Sequence, residues 1–176
     1  MSGQIHDYDN IRSLQNYWSK MGQLKFDLFY YSFHFELCIL ILRSLHIGTA
    51  VITAAAAGAW MGWNSVGWIK IVCPIVILAL QVLNVGVELL PYDNRKQELR
   101  DLIGALEPLY NKVERDWSII SYGDLGWQEI EEKVFSFRNE NSEIAKNYFK
   151  NDSLPQVKHI IKRAKTAADN YMRNLS

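Results

Sequence analysis

LCILILRSLHIGTAVITAAAAGAW (residues 37–60) and WIKIVCPIVILALQVLNVGVELL (residues 68–90) decide how this chain folds. Asp, Glu, Lys and Arg are absent from Ser44 to Ile69 and again from Ile71 to Val87. A helix needs about 20 mostly apolar residues to cross a bilayer, and each stretch supplies them. Between the two lies MGWNSVG (residues 61–67), a short turn rich in Gly and Asn. The pattern predicts an all-α membrane protein centred on a two-helix transmembrane hairpin. Two buried helices of a soluble protein are the alternative. Long uncharged stretches joined by so short a turn fit that alternative less well.

Outside the hairpin the chain is densely charged. Over all 176 residues the net charge is 0 and the mean hydropathy is −0.11, averages that conceal the segregation. Electroneutrality argues against duplex DNA as a partner. The first apolar run follows Asp7, Asp9, Asp27 and Glu36, which marks an anchor and not a cleaved signal peptide. Lys20, Lys25 and Arg43 precede the hairpin, and Arg95, Lys96 and Arg100 follow it, whereas the turn carries no cation before Lys70. Basic flanks remain in the cytoplasm, so a multi-pass protein with both termini cytoplasmic is expected. Trp60, Trp63 and Trp68 cluster at the outer turn. Phe26, Phe29, Tyr30, Tyr31, Phe33 and Phe35 form a second aromatic group at the inner side. Cys38 and Cys73 begin opposite ends of an antiparallel pair, roughly 25 Å apart by helix rise, too far for a disulfide.

The spans carry more polarity than an anchor needs. Gln81, Asn84 and Glu88 share one face of the second helix. Lys70 and Pro74 extend that stripe outward, and Pro74 removes a backbone bond and should bend the helix. Arg43, His46, Thr49 and Thr53 form a stripe on the first helix. Polar groups in hydrocarbon face protein or water. One expectation is an aqueous pore lined by Gln81, Asn84, Glu88, His46, Thr49 and Thr53, with Glu88 as a carboxylate ring favouring cations. The other is internal satisfaction, with Arg43 facing Glu88 and His46 facing Asn84 at matched depths. Ala50, Ala54, Gly58 and Gly62 recur every fourth residue and offer a close-packing strip for another helix or another subunit.

Three regions follow: an N-terminal juxtamembrane helix (1–36), the hairpin (37–90) and a cytoplasmic helical region (91–176). The N- and C-terminal helices should build one cytoplasmic bundle. Pro91 breaks the second span and Asp93 can cap the next helix. There Leu99, Leu102, Leu106, Leu109, Val113, Trp117 and Ile120 recur at three- and four-residue steps, with a kink or break expected at Pro108. Tyr122-Gly123-Asp124 and Gly126 end it. A further helix covers about 127–150, with Trp127, Ile130, Val134 and Phe137 inward and Glu129, Glu131 and Glu132 as solubilising surface. A restart is expected with Ser153 as cap and Pro155 in the first turn. The last helix has Val157, Ile160, Ile161, Ala164, Ala168 and Tyr171 on one face. Lys158, Lys162, Arg163 and Lys165, with Arg173 further on, make its other face basic. That face is either a solvated or headgroup-touching surface, or a site for a phosphate-bearing ligand or acidic partner.

No P-loop, GxGxxG or nucleophile elbow is present, and His6, His34, His46 and His159 are scattered. An enzyme, a cofactor and a metal centre are therefore not expected.

The layout resembles the SLATT family of bacterial two-span membrane proteins. The parts that carry the likeness are WSKMGQLKFDLFYYSFHFE (18–36), Arg43 with His46, GWNSVGW (62–68) and NRKQELRDLIGALEPLYNKV (94–113), over about Asn16 to Ile120. The resemblance implies the bacterial inner membrane and an oligomeric pore that depolarises it. It also implies a defence system against phage that makes nucleotide signals, with a nucleotide, oligonucleotide or nucleotidyltransferase as the releasing partner. A membrane-anchored scaffold or sensor that passes no ions is the competing expectation.

Overall fold

A computed structural model describes residues 2–62, 72, 74–79, 82, 92–123, 125–148 and 154–175. Among these residues the only regular structure is α-helix. We number the helices α1 (Ser2–Gly62), α2 (Tyr92–Ser121), α3 (Trp127–Tyr148) and α4 (Lys158–Leu175). Residues 72, 74–79 and 82 are also helical. The chain divides into two units, one made of Met1–Phe35 with Glu98–Ser176 and the other of Glu36–Gln97.

The first unit is a helical bundle. No Pro interrupts the chain before Pro74, so α1 passes unbroken through the juxtamembrane segment and into the apolar run. Its inward positions are Tyr17, Met21, Leu24 and Leu28, at the three- and four-residue steps of one helix face. Against them pack Leu102, Leu106, Leu109, Tyr110, Val113 and Ile120 of α2, Ile130, Val134 and Phe137 of α3, and Met172 of α4. Tyr17 is the hub of this core. Its ring stacks on Trp117 at 5.9 Å and meets Phe137 edge-on at 5.5 Å, while its hydroxyl donates to the Val113 carbonyl at 2.9 Å. The hydrogen bond solves the problem of a phenol buried completely in an apolar core.

Several local expectations change. Pro108 does not break α2. The carbonyl that its ring would crowd belongs to Gly104, and both residues lie on the exposed face, where a carbonyl can tilt into water. Helix α4 starts at Lys158, and Pro155 lies outside it. The first bond of that helix is Ile161 N–H to the Val157 carbonyl, and the Pro155 carbonyl instead accepts from the Tyr30 hydroxyl at 3.5 Å. Ser153, the expected cap, lies outside the described residues. Two of the acidic residues expected to be plain surface have partners. Glu131 accepts from Asn16 Nδ2 at 3.1 and 3.2 Å, and Glu129 accepts from the Gly126 N–H at 3.2 Å, capping the start of α3. Gly123 closes α2 with φ of 82°, a left-handed conformation that suits a residue without Cβ.

The second unit has the opposite character. Cys38 and Leu42 are buried, but Ile39, Leu40, Ile47, Val51 and Ile52 of α1 and Val72, Ile75, Leu78 and Val82 are exposed. Met61 and Gly62 continue α1 beyond the expected end of the first span. Residues 63–67 of the turn lie outside the described residues.

Candidate functional site

Two members of the polar stripe of the first span, His46 and Thr49, satisfy themselves locally. His46 Nδ1 lies 2.8 Å from the Leu42 carbonyl four residues earlier, a distance at which the ring N–H donates. The Thr49 hydroxyl reaches the Leu45 carbonyl at 2.9 Å and the His46 carbonyl at 3.0 Å. Such back-bonding is how a polar side chain on a helix enters an apolar medium without an outside partner. Arg43 and Thr53 are exposed on the same helix. Gln81, Asn84 and Glu88, expected to line a pore, lie outside the described residues, as do Lys70 and Cys73. The expected pairs Arg43–Glu88 and His46–Asn84 therefore fall outside them too.

Ala50, Ala54 and Gly58 form an exposed strip on α1, and among the described residues a Cβ added at Gly58 would meet nothing within 4 Å. Gly62 is the last helical residue. One helical stretch among the described residues, Asp9–Ala55, is long and apolar enough to cross a membrane, and 11% of its most apolar part is buried. The core helix of a soluble bundle would be mostly buried.

The first unit contains a cluster that the sequence reading did not single out. The Lys25 ammonium lies over the rings of Tyr171 at 3.7 Å, Tyr110 at 4.1 Å and Phe29 at 5.3 Å. The Tyr171 hydroxyl donates to Glu114 at 2.7 Å. Burial lowers the Lys25 pKa, and the negative charges of Glu114 and Glu107 oppose that shift. Three helices thus meet at one cation: α1 supplies it together with the Phe29 ring, and α2 and α4 supply the two nearer aromatic faces that attract it. The only sequence signal was the Lys25–Phe29 spacing, one turn apart on a helix. Two residues further along α1, Asp27 has its carboxyl pushed up to about 6 by burial.

On α4 the ligand candidates Lys158, Lys162, Arg163 and Lys165 are all exposed. Arg163 also stacks its guanidinium on Phe33 at 4.1 Å. Part of the inner aromatic group therefore packs within the bundle: Phe33 against Arg163, Phe29 against Lys25, and Tyr31 against the core. A shallow groove of about 430 Å³ between α1 and α4 is lined by Trp18, Gly22, Phe26, Lys165, Asp169 and Met172 among others. Among the described residues no group of three or more His, Cys, Asp or Glu could hold a metal ion.

Comparison with protein-family models, with curated proteins and with solved structures gives no match.

Proposed function

We propose that this chain is an oligomeric, pore-forming membrane protein whose helical bundle controls opening, an effector of a nucleotide-signalled antiphage defence that acts by depolarising the cell membrane. The apolar runs form a hairpin with both termini in the cytoplasm. The observation that carries the reading is the row of large apolar side chains turned outward on both runs, Ile39, Leu40, Ile47, Val51 and Ile52 with Val72, Ile75, Leu78 and Val82. In water each would cost on the order of 1.5–3 kcal/mol relative to burial, so this surface calls for lipid or for other copies. The open strip Ala50–Ala54–Gly58 supports close approach between copies. The defence role rests on the likeness to two-span effectors described above.

Planar-bilayer recording of the purified full-length protein, with and without nucleotides and oligonucleotides, is the direct test. Unitary conductance that disappears when Gln81, Asn84 and Glu88 are all replaced by Leu is the expected result. No conductance in any condition, from protein proven to be inserted, rejects the pore. The second reading, a membrane-anchored scaffold or sensor, is favoured by the back-bonding of His46 and Thr49, since groups satisfied within their own helix do not require water. A scaffold carrying the triple Leu replacement keeps its partner binding.

A further inference from the structure

We infer that the amino-terminal end of α4 is a lipid-headgroup contact, in which Lys158 and Lys162 rest on the anionic surface of the membrane that the apolar run enters. The inference rests on the membrane reading of residues 37–60 and adds to it a second, electrostatic attachment.

The argument is one of register. Helix α4 lies antiparallel along α1, because its contacts run in reverse order. Met172 faces Gly22 at 3.6 Å, Tyr171 covers Lys25, and Arg163 stacks on Phe33. The Tyr30 hydroxyl meets the Pro155 carbonyl just ahead of α4. The start of α4 is therefore held beside Tyr30 and Phe33. Phe33 precedes Leu37, where the apolar run begins, by four positions, about 6 Å of helix rise. Aromatic residues so close to the apolar run along one helix belong to the interfacial belt, and the start of α4 packs beside them.

Charge points the same way. Lys158 and Lys162, with Lys165 one turn on, recur at helical spacing and so share a face, and all three are exposed. The first turn of α4 holds no acidic residue. Cations at a helix amino terminus oppose the helix dipole, so this placement does not serve helix stability. It concentrates positive potential where an anion can meet it. Cytoplasmic leaflets are rich in anionic lipid, and the attraction decays within about 10 Å, which separates Lys158 and Lys162 from cations further up the bundle. Lys20 is the natural reference: it stands 17 positions before Leu37, about 26 Å of rise.

The test uses the full-length protein reconstituted in two kinds of vesicle, phosphatidylcholine alone and phosphatidylcholine with phosphatidylglycerol. Lysine amines are labelled with a water-soluble acylating reagent, and rates are read site by site by mass spectrometry. Lys158 and Lys162 should label about threefold or more slowly in the anionic vesicles, Lys165 less so and Lys20 not at all, with the difference erased near 1 M salt. Equal rates in both vesicles, with the protein still resistant to carbonate extraction, overturn the headgroup contact alone. Extraction by carbonate from both vesicles overturns the membrane reading with it. Slowing that appears in phosphatidylcholine vesicles when inorganic pyrophosphate is added, and not with phosphatidylglycerol, overturns the lipid assignment in favour of a soluble phosphate ligand.

Discussion

Asp27→Asn should stabilise this protein, and only above a definable pH. Asp27 lies on α1 between the buried Leu24 and Leu28, and burial pushes its carboxyl up to about 6 from an ordinary 3.8. Below about pH 4 the group is protonated in both folded and unfolded chains and contributes no pH dependence. Between about 4 and 6 the unfolded chain gives up its proton while the folded one retains it, so stability falls as pH rises. Above about 6 the charge is present in the fold and the penalty is complete. A shift of roughly two pH units corresponds to about 3 kcal/mol as a ceiling. Asp27 keeps partial contact with solvent, which reduces this to about 1–2 kcal/mol. For a chain of this size that is a gain of about 2–8 °C in Tm. The assay is thermal unfolding of the full-length protein in detergent, wild type against Asp27→Asn, from pH 4 to 8. The two curves should coincide near pH 4 and diverge through pH 5 to 6. A variant less stable than wild type at pH 7.5, or an offset that does not vary with pH, refutes the reasoning, because either result means the carboxylate is not penalised by burial.

Tyr171→Phe removes the bond to Glu114 but keeps the ring over Lys25, and should lower Tm by about 2–6 °C, the loss of one hydrogen bond to a charged acceptor at a part-buried site. Gly22→Ala should raise Tm by about 2–4 °C, because the new Cβ would sit in ordinary contact with Met172 at 3.6 Å and a helix-interior Gly costs up to about 1 kcal/mol. Gly58→Ile should weaken self-association in chemical cross-linking while leaving the bundle intact, since no described residue occupies the space beside Gly58. Thr49→Val should leave cross-linking unchanged, because its hydroxyl is satisfied by its own helix.

The helices were legible wherever one face is apolar and the other wet. The stripe Leu99, Leu102, Leu106, Leu109, Val113 and Ile120 is buried as its spacing requires, and Ile130, Val134 and Phe137 follow suit. Tyr110 and Met172 were missed because a core with helices on several sides widens the buried stripe beyond the strict repeat. The start of α4 was misplaced for a different reason. Ser153 and Pro155 offer a local start signal, but Tyr30, 125 residues away along the chain, takes the Pro155 carbonyl. Local propensity cannot register such a partner. The Lys25 cluster was illegible on the same ground, since its aromatic walls come from α1, α2 and α4 and no one segment contains the pattern.

That His46 and Thr49 bond to carbonyls of their own helix bears directly on how a pore would be built. A side chain that has already spent its donor on the i−4 carbonyl gains little from a neighbouring subunit, so these two residues cannot be what drives assembly. Close approach across Ala50, Ala54 and Gly58 can, because packing between small residues is the attraction that survives when lipid tails compete for apolar side chains. The first span is then the packing helix. Its histidine has Nδ1 committed to the Leu42 carbonyl, which leaves Nε2 as the one ring nitrogen that could face an aqueous path. The second span would have to line the water, and within it Glu88 is the only carboxylate. Glu88→Gln should therefore change ion selectivity with little effect on cross-linking, and Gly58→Ile should do the reverse. A protein in which both substitutions abolish cross-linking has no such division between its two spans.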